Sequence, residues 1–206
     1  MEIKLDLVNE HNFDRLLDRL GEPAEIREQT NYFLDSDNWD LSQSGWALRL
    51  RSYGETVVMT AKGVAAENID GLTVRPEIEE TISVDELKRF LSAGTLLRNL
   101  PPKINAIFEN IEPDLRLTKK LSFTTIRHII EHRDGNIGFR FELDKTIYPD
   151  GGVDYELEVE IANRAMFPPV EEIIRRLLDE LAIPWKLQKE SKFGRALKKN
   201  RDRYRL

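Results

Sequence analysis

Residues 154–161 read Asp-Tyr-Glu-Leu-Glu-Val-Glu-Ile, an alternation of acidic and apolar residues. Such alternation is typical of a β-strand, because successive side chains on a strand point to opposite faces. Glu156, Glu158 and Glu160 would then form a row of negative charge with a spacing of about 6.6 Å. A row of this kind is stable on a solvated surface, or opposite positive charge from a metal ion or from basic side chains. One strand alone favours the solvated surface.

The same alternation recurs in at least five other segments, and several of their charged faces are basic. Residues 46–52 place Arg49 and Arg51 on one face, and the next segment adds Lys62. This repetition makes a simple solvated face the weaker explanation. The predicted strands are residues 1–8, 28–34, 46–52, 56–62, 73–82, 115–121, 122–132, 136–146 and 154–161.

Amphipathic helices are predicted between and after these strands. Asn9 caps the first helix, Ser83 opens a Ser-x-x-Glu capping box, and Pro168 begins a third helix. A short helix is also predicted over residues 103–110. Many antiparallel strands combined with such helices predict an α+β fold with a barrel or a strongly curved sheet. Because the helices need apolar surface to cover, they would pack outside and leave the charged faces pointing inward.

A charged interior is costly, since each unpaired buried ion costs several kcal/mol, roughly. Water, mutual pairing and a bound ligand would have to offset that cost, so a function is expected. Clustered arginine and lysine suit a polyanion, and clustered carboxylates suit a hard divalent cation; a polyphosphate with Mg²⁺ or Mn²⁺ satisfies both. The inward residues would be Glu2, Lys4, Arg49, Arg51, Lys62, Arg75, Glu77, Glu79, Arg127, Arg140, Glu142, Asp144, Glu156, Glu158 and Glu160.

Composition narrows the class of protein. With 206 residues and 40% hydrophobic content, the chain predicts a single domain over residues 1–206. The net charge of −6 argues against a general nucleic-acid binder. The sequence has no cysteine, so a metal would be held mainly by carboxylate oxygen. No signal pattern or long apolar run is present, which favours a soluble, cytoplasmic protein without membrane partners.

Several short motifs, taken in order, resemble the CYTH domains, also known as triphosphate tunnel metalloenzymes. This family includes thiamine triphosphatases, inorganic triphosphatases and class IV adenylyl cyclases. Each motif is weak alone, but the order along the chain is fairly specific. The motifs are Glu2-Ile3-Lys4, ALRLR at 47–51, TAKG at 60–63, RPEIE at 75–79, Arg127, ELD at 142–144, ELEVE at 156–160 and SKF at 191–193.

The resemblance implies an eight-stranded antiparallel β-barrel that forms a tunnel with a charged lumen. It implies that the metal, Mg²⁺ or Mn²⁺, is held by Glu2, Asp144, Glu158 and Glu160. Glu77, Glu79 and Glu156 would be further lumen carboxylates. Catalysis would depend on Lys4, Arg49, Arg51, Lys62 and Arg127. Substrate binding would involve Lys4, Arg49, Arg51, Lys62, Arg75, Arg127 and Lys192.

The chain departs from the family pattern in two places. The first Glu of the ExExK signature would fall just before Met1, so this ligand is either truncated or lacking. Some family members use a Tyr and Lys dyad near the phosphate. Tyr32 is the candidate tyrosine, but Thr125 stands where the lysine is expected, two residues before Arg127. The resemblance therefore does not predict a dyad mechanism here.

The expected activity is metal-dependent hydrolysis of a small-molecule triphosphate, either tripolyphosphate, thiamine triphosphate or a nucleoside triphosphate. Two alternatives remain open at the level of sequence. One is an adenylyl cyclase that converts ATP to cyclic AMP and pyrophosphate, and the other is a noncatalytic polyphosphate-binding module. The protein would act as a monomer or a homodimer.

Overall fold

The computed structural model describes residues 2–63, 67–69, 72–74 and 76–203, which form a mostly antiparallel sheet together with several helices. This is the predicted α+β class. The strands are β1 (Glu2–Asp6), β2 (Glu25–Asp35), β3 (Trp46–Tyr53), β4 (Thr56–Gly63), β5 (Glu67–Ile69), β6 (Leu72–Val74), β7 (Glu77–Ile82), β8 (Thr95–Leu96), β9 (Arg116–Asp134), β10 (Ile137–Ile147) and β11 (Val153–Glu160). The helices are α1 (Glu10–Leu20), α2 (Asp40–Gln43), α3 (Val84–Ala93), α4 (Pro102–Asn105), α5 (Phe167–Glu180) and α6 (Lys192–Arg203).

The chain divides into two compact units, and β2 and β9 each contribute residues to both. The prediction of a single domain over residues 1–206 is not tested by this division and stays a prediction. Closure of the strands into a barrel also stays a prediction. Unit 1 comprises Met1–Glu28, Glu67–Val74 and Thr125–Arg195, and unit 2 comprises Gln29–Ala66, Arg75–Thr124 and Ala196–Leu206.

In unit 1 the strands pair in the order β5-β6-β1-β11-β10, and each pair is antiparallel. The apolar residues of the alternating strands, among them Leu5 and Leu157, lie on one face and are fully buried. Phe13 of α1 and Ile174 of α5 belong to the same core. Burial of one such side chain contributes about 1.5–3 kcal/mol. The two helices therefore cover the apolar face, and the charged residues of β1, β10 and β11 lie on the other face.

Unit 2 repeats this arrangement with the strand order β2-β3-β4-β7. Leu48 and Leu50 of β3 are buried in a core with Phe90 of α3 and Ile104 of α4. Since neighbouring residues on a strand point to opposite faces, Arg49 lies on the face that these helices do not cover. Sequence alternation thus places the apolar and charged faces of both units.

The predicted helix caps are confirmed. The Oδ1 atom of Asn9 accepts a hydrogen bond from the backbone N–H of Asn12 at 3.0 Å. At the start of α3, Ser83 Oγ accepts from the Glu86 N–H at 3.2 Å, and Glu86 accepts from the Ser83 N–H at 2.9 Å. Both caps satisfy backbone donors that a helix start leaves without intrahelical partners.

Two predicted strand boundaries are wrong. Residues 115–121 and 122–132 belong to one strand, β9, of 19 residues, because no glycine, proline, asparagine or aspartate separates them. Residues 73–82 do not form one continuous strand, since β6 and β7 are separate elements on either side of Pro76. Proline has no N–H to donate to a β-ladder, which explains the break.

Candidate functional site

The acidic strand β11 lies between β1 and β10, and its register sets the charged face of unit 1. Lys4 and Glu142 are both opposite Glu158, one on each neighbouring strand. Asp144 is opposite Glu156 in the same way. Directly opposed residues have side chains on the same face of the sheet. The pairing therefore gathers carboxylates from two strands, with a lysine from the third.

Asp144, Glu156 and Glu158 form the carboxylate cluster, in which one oxygen from each residue lies within 4.8 Å of the others. Their exposed fractions are 0%, 1% and 6%, so water does little to screen their mutual repulsion. Three carboxylates cannot remain ionised together in a buried position unless cations lie close to them.

Lys192, the first residue of α6, lies among these carboxylates. Its Nζ atom is 2.8 Å from Asp144, 2.6 Å from Glu156 and 2.7 Å from Glu158. Burial on its own would lower the pKa of Lys192, but the three carboxylates outweigh it and raise this pKa far above its ordinary value. The ammonium group is therefore favoured over the neutral amine and acts as a counter-ion of the cluster.

Arg127 of β9 is the second counter-ion. Its Nε and Nη2 atoms donate to the two oxygens of Asp144 at 2.7 and 2.6 Å, and Nη2 also donates to Glu158 at 2.6 Å. Nη1 donates to Glu142. Burial would lower the pKa of Arg127, but the attraction of Asp144 and Glu158 holds it well above its ordinary value. Bidentate pairing of this kind also fixes the direction of the carboxylate.

Lys4 supplies a third cation from β1. Its Nζ atom lies 2.8 Å from Glu158 and 3.4 Å from Glu2. Burial alone would raise the pKa of Glu158, but Lys192, Lys4 and Arg127 hold it well below its ordinary value. Glu158 is therefore ionised and is the carboxylate that all three cations contact.

Glu142 differs from its neighbours in the direction of its pKa. Burial raises the pKa of Glu142; Arg127 lowers it, but Glu158 and Asp144 raise it again, and the pKa stays above its ordinary value. A carboxylate with a raised pKa accepts a proton more readily than an ordinary one. Among the predicted inward residues, Glu142 thus has the environment of a proton acceptor.

Unit 2 carries its own row of charges on the face away from its core. Arg49 Nη2 donates to Thr60 Oγ1 at 3.1 Å, and Thr60 Oγ1 donates to Glu79 at 2.9 Å. Arg51 Nε donates to Asn31 Oδ1 at 2.9 Å. Lys62 is likewise paired, with its Nζ atom 3.0 Å from Glu77. The three predicted basic residues of this unit are held in place by polar and acidic neighbours.

The structure brings together some of the predicted metal-ligating residues and separates others. Asp144 and Glu158 belong to the carboxylate cluster. Glu2 and Glu160 lie opposite each other on the β1–β11 ladder, two positions from the Lys4–Glu158 pair, and are not members of the cluster. Glu156, which the sequence indicates only as a further lumen carboxylate, is the third member. Arg75 lies outside the described residues.

The candidate dyad residues are placed elsewhere. Tyr32 packs against the core of unit 2 and is opposite Leu50, on the face that does not carry Arg49. The Oγ1 atoms of Thr125 and Thr146 are hydrogen-bonded at 3.0 Å in a buried position of unit 1. Neither residue is arranged as part of a Tyr and Lys pair.

Two residues near the cluster were missed or undervalued in the sequence. Glu156 follows the same alternation as Glu158, and only the strand register shows that Asp144 lies opposite it. Arg195 Nη2 lies 3.0 Å from Glu156. The spacing of Lys192 and Arg195, three residues apart, places both on one helix face and is the signal that could have identified Arg195.

The carboxylate cluster fits a divalent metal ion by the chemistry of its donors. All three residues offer oxygen, which hard cations such as Mg²⁺ and Mn²⁺ prefer. Glu156 Oε1 is buried and has no hydrogen-bond partner among the described residues, so one ligand oxygen is available without breaking a hydrogen bond. The Lys192 ammonium contacts all three carboxylates and neutralises part of their charge. A metal ion would neutralise part of the same charge.

No described helix is both long enough and apolar enough to cross a membrane. The fold and the site define a class of protein. Its antiparallel strands alternate apolar and charged residues, and their pairing brings buried carboxylates and cations together. The chain belongs to the CYTH domain family, whose profile matches residues 1–193. Searching the curated proteins finds no match.

Solved structures share this fold at low sequence identity. A candidate adenylyl cyclase from Hippeastrum, reported to show a dominant triphosphatase activity, has 24% identity and a TM-score of 0.83, with 96% of this chain and 94% of that chain covered. A candidate adenylate cyclase from Bacillus halodurans has 24% identity and a TM-score of 0.70, covering 94% and 95%. A protein from Pyrococcus horikoshii has 17% identity and a TM-score of 0.61, covering 97% and 99%. At these identities the likeness establishes the fold alone.

Proposed function

We propose that the protein hydrolyses a small-molecule triphosphate in a metal-dependent reaction. One observation carries the proposal: three buried carboxylates, Asp144, Glu156 and Glu158, are enclosed by the cations of Lys4, Arg127 and Lys192. An apolar core of the same volume would be as stable or more stable, so stability does not explain this assembly. A substrate that carries several negative charges and binds with a divalent cation does.

Different residues of the chain would bind the metal and the phosphate groups. Asp144, Glu156 and Glu158 would hold Mg²⁺ or Mn²⁺, with Glu2 and Glu160 as the further ligands that the family resemblance implies. The metal would supply Lewis-acid polarisation of a phosphoryl oxygen. Lys4, Arg127 and Lys192 would bind phosphoryl oxygens, and Arg49, Arg51 and Lys62 are proposed for the same role on the family resemblance. Arg75 is proposed on the resemblance alone.

Phosphoryl transfer needs mainly positioning and charge stabilisation from a protein. Lys4 and Arg127 are held by carboxylates before substrate binds, so these two cations need little reorganisation when charge develops on the phosphate. Glu142 would accept the proton of the attacking water, because its pKa is raised while it remains hydrogen-bonded to Arg127.

The comparisons support this proposal without selecting the substrate. The Hippeastrum protein is reported to show a dominant triphosphatase activity, and the Bacillus halodurans protein is described as a candidate adenylate cyclase. Fold likeness does not transfer an activity, so the reaction is proposed from the site. The eight-stranded tunnel belongs to the proposal as the expected enclosure of the reaction, and so does a monomeric or homodimeric state.

The test is a substrate panel of tripolyphosphate, thiamine triphosphate and ATP, each with Mg²⁺ or Mn²⁺, followed by measurement of released phosphate. Lys4→Ala in unit 1 and Arg51→Ala in unit 2 should each reduce turnover by at least about a hundredfold, since a charge-stabilising donor contributes 10²–10³ in rate. Arg176→Ala, which removes an arginine of α5 whose side chain is 61% exposed, is the matched control and should keep wild-type turnover.

Each alternative gives a different result in the same panel. Cyclic AMP and pyrophosphate from ATP would identify a cyclase. Tight tripolyphosphate binding without phosphate release at any metal concentration would identify a noncatalytic binding module. Unchanged turnover in both alanine variants would contradict the assignment of these residues.

A further inference from the structure

Arg195 lies one helical turn after Lys192 and joins α6 to the acidic strand. Its Nε atom donates to Asp154 at 2.6 Å, and its Nη1 atom donates to the backbone carbonyl of Glu190 at 2.7 Å. Its Nη2 atom lies 3.0 Å from the carboxylate of Glu156. One guanidinium therefore connects the segment before the helix, the beginning of β11 and the carboxylate cluster.

The other groups around Arg195 keep this arrangement rigid. Tyr148 donates its hydroxyl hydrogen to Asp154 at 2.8 Å, on the same carboxylate oxygen that Arg195 contacts. Ser191 Oγ accepts a hydrogen bond from the backbone N–H of Gly194 at 3.1 Å and so closes the first turn of the helix. The side chain of Arg195 is 12% exposed, so its ion pairs are only weakly screened by water.

Lys192 depends on this support. Residues three apart on a helix lie on the same face, so fixing Arg195 on β11 also fixes Lys192 towards Asp144, Glu156 and Glu158. A lysine side chain is long and flexible, and three carboxylates alone do not determine the direction from which the ammonium approaches. The anchored first turn of α6 determines it.

We infer that Arg195 is a positioning residue, which holds α6 on β11 so that the Lys192 ammonium lies in the carboxylate cluster and shares that cluster with the divalent cation. The inference rests on the proposed function. In this arrangement Lys192 opposes the binding of metal to the free protein. A triphosphate, by attracting Lys192, reduces that opposition, so substrate and metal promote each other's binding.

The inference predicts changes of opposite sign in two affinities. Arg195→Gln removes positive charge beside Glu156 and loosens Lys192, and both effects leave the cluster more negative. Binding of Mn²⁺ in the absence of triphosphate should therefore become at least about fivefold tighter, the lower end of typical coupling between sites. Tripolyphosphate should bind at least about fivefold more weakly, and KM should rise more than kcat falls, because Lys192 is no longer held in place. A variant that is merely misfolded would lose both affinities.

The experiment measures free Mn²⁺ by electron paramagnetic resonance and tripolyphosphate binding by calorimetry, on the full chain, with thermal unfolding to confirm that each variant is folded. Arg176→Gln is the matched control, because it removes the same charge from a residue of unit 1 whose side chain is 61% exposed and paired with Asp134. This control should keep both affinities. Arg195→Lys keeps the charge but not the fork of donors, so Mn²⁺ affinity should return towards wild type while KM recovers only in part.

A second variant tests the same arrangement from the strand. Asp154→Asn weakens the contact to Arg195 Nε without removing a group of the carboxylate cluster, and should change both affinities in the same directions, by less. Unchanged or weaker Mn²⁺ binding in Arg195→Gln would overturn the inference, even if the wild-type protein hydrolyses triphosphates. Failure of the wild-type protein to hydrolyse any triphosphate, with the opposite affinity changes still present, would overturn the proposed reaction and leave the role of Arg195 standing.

Discussion

Arg127 contacts Asp144, Glu142 and Glu158, so one guanidinium neutralises much of the buried negative charge of unit 1. A buried ion pair adds little net stability when it is complete, because its attraction mainly offsets the desolvation of its members. The gain from forming the pair and the cost of breaking it are therefore unequal. Removing the cation leaves its carboxylates buried without compensation, and this is far more costly than the pair is stabilising.

Arg127→Met should therefore lower the free energy of unfolding by about 3–5 kcal/mol, the typical cost of breaking a buried pair. The measurement is urea denaturation at neutral pH. Arg140→Met is the control on the neighbouring strand, since Arg140 is 48% exposed and its ion pair with Glu131 is long, at 4.0 Å. This variant should change the free energy of unfolding by less than about 0.5 kcal/mol. A loss below about 1 kcal/mol in Arg127→Met would mean that Lys192 and Lys4 compensate the cluster without it.

At the scale of residues, the sequence predicts which face of a strand is charged but not which charges meet. Glu156, Glu158 and Glu160 are equivalent in the alternation, yet Glu156 and Glu158 are in the cluster and Glu160 is exposed. The difference comes from register, because Asp144 is opposite Glu156 and the β1–β11 ladder pairs Glu160 with Glu2. A shift of register is not visible in the pattern of one strand.

At the scale of elements, local chemistry predicts the starts of helices well. Asn9 and the Ser83 capping box are confirmed because the hydrogen bonds involved are between residues close in sequence. The long strand β9 is less predictable, since its continuity depends on pairing along its whole length rather than on a local signal. The role of the α6 start is harder still, because Lys192 and Arg195 acquire their partners only when the helix lies on β11.

Gly94 and Gly21 end helices in the same way but differ in their surroundings. Both have positive φ, 70° and 89°, where a side chain is strained. A Cβ atom at Gly94 would lie 2.5 Å from the carbonyl oxygen of Leu117, whereas nothing lies within 4 Å of one at Gly21. The backbone of β9 is part of a ladder and cannot move away easily.

Gly94→Ala should therefore destabilise the protein more than Gly21→Ala does. The strain of this backbone conformation costs about 1–3 kcal/mol in either variant. The overlap with β9 should add at least about 1 kcal/mol in Gly94→Ala alone, the usual cost of overpacking. Urea denaturation of the two variants under one condition separates these contributions. Equal losses would mean that the first residues of β9 shift to accept the methyl group.

At the scale of the whole molecule, the net charge does not reveal how the charged groups are arranged locally. The chain carries a net charge of −6, which would repel a polyanion at long range. Lys4, Arg127 and Lys192 nevertheless place three cations within contact distance of one another's carboxylate partners in unit 1. Composition argues against a general nucleic-acid binder, but only the pattern of alternation, together with the strand register of the structure, indicates a small, highly charged ligand. Binding must then come from short-range contacts rather than from long-range attraction.

Binding through short-range contacts predicts that tripolyphosphate stabilises the folded protein selectively. A ligand that binds only the folded state, at a concentration 100 times its Kd, stabilises that state by about 2.7 kcal/mol. For a chain of this length each kcal/mol raises Tm by about 2–4 °C, so a shift of roughly 5–10 °C is expected. Orthophosphate at matched ionic strength should give a much smaller shift, because it spans fewer cations.

Lys192→Met should reduce the shift with tripolyphosphate, since it removes one phosphate-binding ammonium and leaves the other cations of unit 1 in place. Equal shifts with orthophosphate and tripolyphosphate would indicate a general ionic effect and would contradict a site built for a chain of phosphates.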